Sequence, residues 1–164
     1  MKSRGLIFSA PMVRAMLEGR KFCTRRLDKS WLKYKKGSEL WVREPFAING
    51  HGQVAYKADG TVLNGLKWKS PIFMFRKDSR ISHILTEDAR EERLQDITLE
   101  EIKMEGISDQ EILNSLPMFP PPNCNLDDII EFMAKNLFKQ LWDSLHPVGK
   151  RWEDNPEVVR LSWR

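Results

Sequence analysis

Apolar positions along this chain fall into two spacings, one for strands and one for helices. Residues 4–8 (RGLIF) predict an opening strand. Ser9-Ala10-Pro11 then reads as a helix start, with Ser9 as N-cap and Pro11 tolerated in the first turn. Met12, Val13, Met16 and Leu17 form a stripe at helical spacing, and Gly19 predicts a left-handed cap that ends it. After the turn Lys35-Lys36-Gly37, the run Glu39 to Glu44 alternates as a strand does. Asn49-Gly50-His51-Gly52 reads as a hairpin turn, with Gln53 to Ala58 as the returning strand. Asp59-Gly60 turns again, and residues 61–78 read as irregular. Ser79 to Thr86 and Val158 to Trp163 complete the strand candidates.

The helical spacing returns in the second half. Thr98-Leu99-Glu100-Glu101 is a capping box, which predicts a helix from about Leu99 to Glu105 ended by Gly106. Residues 107–125 contain Pro117, Pro120, Pro121 and Pro122, and read as a Pro-rich loop insertion that acts as a spacer. Asn125, with Asp128 behind it, opens a helix over about 126–146, whose buried stripe is expected to be Ile129, Ile130, Met133, Leu137, Leu141 and Leu145. Short strands divided by Gly and Asp turns, with helices around them, predict an α+β domain containing a small barrel rather than a doubly wound sheet. The whole of 1–164 reads as one domain, long enough to bury a core without disulfides or metal.

Charge adds a partner to this picture. Residues 1–44 carry twelve Lys/Arg against four Asp/Glu, whereas residues 87–145 carry five against fourteen. Such a split predicts one face for a polyanion and another turned to solvent. Trp31, Tyr34 and Trp41 in the basic half are candidates for stacking on bases, although Trp41, like Trp142, reads more readily as core. No apolar run approaches the about 20 residues needed to span a bilayer, and the opening residues do not read as a signal peptide, so cytoplasmic residence is expected. Cys23 and Cys124 are too far apart in sequence for a disulfide framework, and His51, His83 and His146 are scattered. No metal or cofactor is expected.

The densest chemistry lies in Gly19-Arg20-Lys21-Phe22-Cys23-Thr24-Arg25-Arg26. Two readings compete. As a phosphate clamp, the arginine forks hold phosphate oxygens without reading sequence. As a catalytic site, Thr24 is the nucleophile and Lys21 its base, with a carboxylate still needed to move protons to a leaving group. Composition favours the clamp. Residues three apart point to opposite faces of a strand, so Lys21 and Thr24 converge only if the chain turns between them. Cys23 reads as a small hydrophobe rather than a reactive thiol. Arg43 and Glu44 could form a site pair or an ordinary ion pair. Trp68, between Lys67 and Lys69, could stack on a base.

Ser9 to Arg14, Gly19-Arg20-Lys21, Thr24-Arg25-Arg26, Leu40 to Glu44, Tyr56 to Asp59, Ser79-Arg80-Ile81, Glu92 to Ile97, Glu105-Gly106-Ile107, Leu141 to Ser144 and Asn155-Pro156 resemble, in order, the ASCH-domain proteins common in phages and prophages. The resemblance covers nearly the whole chain, and the blocks around Gly19 to Arg26 and Arg93 to Ile97 are its specific ones. It implies a PUA-like fold, a small β-barrel with flanking helices, and association with RNA or a modified nucleoside. Smaller bacterial relatives are amidohydrolases that remove the acetyl group of N(4)-acetylcytidine. By that likeness Thr24 is the nucleophile, Lys21 its proton acceptor and Glu105 the acid/base serving the leaving amine. Arg20, Arg25, Arg26, Arg43 and Trp68 are then the nucleic-acid-binding candidates. A non-catalytic RNA-binding module and a ribonuclease are the alternatives. Phe22 and Cys23 depart from the polar Thr and Gln usual in the phage group, and Phe73 and Phe75 from the more typical His and Pro. The insertion 107–125 and the helix after it are absent from the small amidohydrolases.

Overall fold

A computed structural model describes all residues, 1–164. Eight strands and four α-helices follow one another as β1 (Ser3–Ile7), α1 (Ala10–Leu17), β2 (Cys23–Arg26), β3 (Glu39–Arg43), β4 (Phe46–Ile48), β5 (Val54–Tyr56), β6 (Ser82–Ile84), β7 (Arg90–Arg93), α2 (Leu99–Met104), α3 (Asp109–Ser115), α4 (Leu126–Leu145) and β8 (Glu157–Ser162). The class is α+β. The strands make three ladders, in the orders β1-β3-β6, β2-β8-β7 and β4-β5, and no pairing joins them into a closed ring. β1 and β3 are parallel, which the connection through α1 and β2 makes possible. All other ladder partners run antiparallel.

Central strands show why their sequences are what they are. In β8, Val158, Val159, Arg160, Leu161 and Ser162 are all buried, because elements pack on both faces. One core gathers Leu6, Phe8, Val13, Trp31, Leu40 and Leu161 between α1 and the first two ladders. A second gathers Leu94, Ile97, Ile102, Ile112, Phe138 and Trp142 beneath α2, α3 and α4. Each such side chain contributes roughly 1.5–3 kcal/mol on burial.

The second half departs from the sequence expectation in two places. Residues 107–125 are not loop throughout: Ser108 and Glu111 form a capping box, with the Ser108 hydroxyl accepting from Glu111 N at 3.2 Å, and this starts α3. In α4, Ala134, Phe138 and Trp142 are the buried residues. Ile129, Ile130, Met133, Leu137 and Leu141 lie beside them half-buried, and Leu145 is exposed. The spacing of four is kept, but the stripe is rotated toward the aromatic residues that fill the larger gap. The strand β7 (Arg90–Arg93) also went unforeseen, since four charged residues carry no alternation. Trp31, Tyr34 and Trp41 are buried, so none offers a face to a base.

Candidate active site

Lys21 is placed by the end of α1. Gly19 takes φ +70°, and the amides of Arg20 and Lys21 both donate to Ala15 O, at 2.8 and 3.1 Å. The chain is thereby folded back beneath the helix, as a left-handed cap does. From there it runs extended but irregular. Lys21 makes an isolated antiparallel bridge to Glu105, Phe22 N donates to Met104 O at 2.7 Å, and only at Cys23 does β2 begin. This interruption answers the spacing problem: Lys21 and Thr24, three apart, line the same hollow.

That hollow has a volume of about 390 Å³. Its floor is Lys21, Thr24, Arg25 and Arg26, its near wall is Phe8, Ser9 and Met12, and Pro45 and Pro71 form one rim. The far wall is the C-terminal half of α4, through Phe138, Leu141, Trp142, Leu145 and His146. Glu105 stands behind the floor as the C-cap that follows α2, whose own capping box is formed: Glu101 N donates to Thr98 Oγ1 at 3.3 Å and Thr98 N to Glu101 Oε2 at 3.1 Å. Lys21 Nζ donates to Glu105 Oε2 at 2.7 Å and to Glu105 O at 2.8 Å, with both side chains almost wholly buried. A two-contact grip of this kind fixes the amine in one direction. The Thr24 hydroxyl makes no side-chain hydrogen bond and faces the hollow beside it.

Two arginines of the segment part company. Arg25 is wholly out of solvent and holds three carboxylates: Nε to Glu92 Oε1 at 2.7 Å, Nη1 to Glu105 Oε1 at 3.1 Å and Nη2 to Glu101 Oε2 at 2.9 Å. Burial pulls its basicity down, but Glu105, Glu92 and Glu101 more than offset that, and its pKa is raised. Arg26 has no carboxylate partner. One nitrogen donates to Ile7 O at 2.8 Å, its Nε is buried without an acceptor, and its guanidinium lies 4.9 Å from the Phe8 ring centre. Burial lowers its pKa to about 10, partly countered by Glu105, so it is a cation at neutral pH.

The basic and acidic halves therefore do not form separate faces. They interlock, because Arg25 of the first is held by Glu92, Glu101 and Glu105 of the second; Arg160 stands opposite Arg25 across β2 and β8, and opposite Arg90 across β8 and β7. Glu101 reaches all three, at 2.9 Å from Arg25, 3.3 Å from Arg160 and 3.6 Å from Arg90. Burial pushes the Glu101 carboxyl up, but the Thr98 amide and these arginines hold it below its ordinary value. Sequence reasoning missed this arginine row, since no spacing rule registers strands that lie 65 to 135 residues apart.

The remaining candidates lie elsewhere. Arg20 turns away from the hollow, paired with Glu18 and donating to Gly106 O. Arg43 does not pair with Glu44: Glu44 is held by Arg80 at 2.9 and 3.1 Å, and Arg43 lies over Trp41, 4.8 Å from the ring centre. Arg43 instead lines a second hollow. Trp68 is half-buried and lines neither. Cys23 is buried, and burial followed by the Glu105 charge pushes its thiol up to about 12, against lowering by Arg25, Lys21 and Arg160. The carboxylates that gather here, Glu92, Glu101 and Glu105, gather around a guanidinium. No helix is long and apolar enough to cross a membrane. Compared with protein-family models, curated proteins and solved structures, the chain finds no match.

Proposed function

We propose that this α+β chain is an ASCH-type, PUA-like hydrolase that cleaves the exocyclic amide of an N(4)-acylated cytosine. The observation that carries the reading is the contact of Lys21 Nζ with Glu105 Oε2 at 2.7 Å, at the floor of a hollow that Thr24 also lines. A buried amine and a buried carboxylate in contact form a proton-transfer pair beside a hydroxyl, which is what activation of a threonine needs.

In the proposed reaction, Lys21 passes a proton to Glu105 and its free amine accepts the proton of Thr24 Oγ1. Thr24 Oγ1 then bonds to the acyl carbon, and the carbonyl oxygen becomes an oxyanion. Arg26, the cation of the floor with no carboxylate of its own, compensates that charge. Collapse breaks the C–N bond, and the departing amine takes the proton held by the Lys21–Glu105 pair. Water then hydrolyses the acyl-threonine through the same pair, releasing the carboxylic acid. Arg25 positions: it fixes the other oxygen of Glu105, leaving Oε2 directed at Lys21.

The hollow suits a flat, partly apolar ligand, with Phe8, Phe138 and Trp142 around a polar floor. The test is turnover of N(4)-acetylcytidine, followed by its absorbance change. Wild-type protein is expected to turn over, and Lys21→Ala and Thr24→Ala to lose at least about 100-fold in rate. Absence of turnover in wild type, or turnover surviving Lys21→Ala, overturns the reading.

A further inference from the structure

Beyond the proline rim lies the second hollow, of about 520 Å³, formed where β3 and β4 meet residues 69–78. Three features set it apart from ordinary surface. Phe73 and Phe75 are 66% and 68% exposed, two large aromatics two residues apart on the segment that lines it. Arg43 lines the hollow with no ion pair, and its Nε is buried without an acceptor. Lys69 lines it too, and together with Lys67 and Lys77 enters no ion pair, whereas neighbouring Arg76 and Arg80 are taken by Glu39 and Glu44. Asp78 is the one carboxylate of the lining, so the cations are in excess.

The two hollows are neighbours by construction. Pro45 and Pro71 edge the first, and the residue following each, Phe46 and Ile72, lines the second. A backbone bridge between Phe46 and Lys69 ties the partition together, with Lys69 N donating to Phe46 O at 2.7 Å. A single nucleoside would be spent within the first hollow. A ligand continuing over the rim meets free aromatic faces and unneutralised cations.

We infer that the second hollow binds the nucleotide adjoining the one in the first, so that the ligand of this protein is a single-stranded polynucleotide rather than a free nucleoside. The inference deepens the proposed function and rests on it for the base in the first hollow. Stacking on Phe73 or Phe75 requires an unpaired base with its face open, which a single strand offers and a duplex withholds. Arg43 and Lys69 then meet phosphate oxygens, and Asp78 repels them, which favours an approach from the lysine side. An acidic protein segment would satisfy the cations but leave the planar aromatics without a partner.

The experiment is fluorescence anisotropy with a labelled ten-nucleotide single-stranded RNA of mixed pyrimidine sequence, free of acylation, and the same RNA in duplex. Single strand is expected to bind at least about tenfold tighter than duplex. Phe73→Ala/Phe75→Ala is expected to weaken it about tenfold or more, both side chains being exposed enough that the variant folds, as circular dichroism checks. Arg43→Gln and Lys69→Gln are each expected to lower the slope of log affinity against log salt by about 0.7. Equal affinity for duplex and single strand, or affinity unchanged in the double aromatic variant, overturns the inference. Turnover of free N(4)-acetylcytidine is read separately. Its absence with aromatic-dependent strand binding intact sinks the hydrolase reading alone; its presence with binding indifferent to Phe73 and Phe75 sinks this inference alone.

Discussion

Arg25 and Arg160 face each other directly across β2 and β8, both buried, and the carboxylate of Glu101 lies between them at 2.9 and 3.3 Å. Like charges directly opposite in a ladder are destabilising. Here the repulsion is overcome by carboxylates carried on α2 and the strands, so the position of α2 is set electrostatically as well as by packing. The same helix carries Glu105 to Lys21. Fold and candidate chemistry thus share one charge network.

Glu101→Gln separates charge from shape. The amide keeps the length of the side chain and can still accept from Thr98 N, but the arginine row loses its shared counter-charge. A loss of about 1–3 kcal/mol is expected in urea unfolding, because Glu101 is only half-buried and Arg25 keeps Glu92 and Glu105 while Arg160 keeps Glu87. A loss below about 1 kcal/mol would mean that Glu87, Glu92 and Glu105 suffice.

Gly106→Ala strains the site from behind. Gly106 has φ +107°, and an added Cβ would stand 3.1 Å from Ala15 Cβ and 3.4 Å from Lys21 Cβ. The backbone conformation alone costs about 1–3 kcal/mol for an L side chain. The neighbour that must give is Ala15, whose carbonyl holds the amides of Arg20 and Lys21, so turnover of N(4)-acetylcytidine should fall further than stability explains, as kcat measured well below the variant's melting temperature will show.

His83 sets part of the acid sensitivity. It stacks on Trp163 at 4.6 Å, its Nε2 is buried without a partner, and burial lowers its pKa to about 4. The unfolded chain takes up this proton near pH 6.5, while the folded chain resists until near pH 4. Protons are therefore bound in excess by the unfolded state, and stability is lost as pH falls through that window. In His83→Gln, the slope of unfolding free energy between pH 6.5 and 4 should be shallower; an unchanged slope would remove His83 from the account.

The two cysteines should differ sharply toward iodoacetamide. Cys124 is exposed, whereas Cys23 is buried with its thiol pushed up to about 12. Mass spectrometry of the native protein should find one adduct, at Cys124, and two after denaturation. Rapid native labelling of Cys23 would show that α2 lifts away from β2, since the thiol packs against Glu101 O.

How much of this could be read from the residues varies with the range of the interaction. Local signals held: the Thr98–Glu101 capping box starts α2, Gly19 ends α1 in the left-handed region, and Asn49 shapes the hairpin by accepting from His51 and Gln53. The capping box at Ser108 and Glu111 was equally local, and the nearby prolines masked it. Long-range pairing was invisible. Composition could count the cations of residues 20–26 but could not separate Arg25, enclosed by carboxylates, from Arg26, which has none. Lys21, Thr24 and Glu105 were named from a resemblance, not from periodicity; the contact between Lys21 and Glu105 depends on a backbone bridge across 84 residues.

The hollow is built from two unlike sources. Its floor comes from the segment after α1, with α2 behind it, whereas its far wall is one half of α4, which brings no group from the Arg25 network. Chemistry and selectivity are consequently separable under mutation: Leu141, Leu145 and His146 can be exchanged to admit a bulkier or more polar guest while the machinery opposite keeps its alignment. A library confined to those positions is the natural route to altered ligand range in this scaffold.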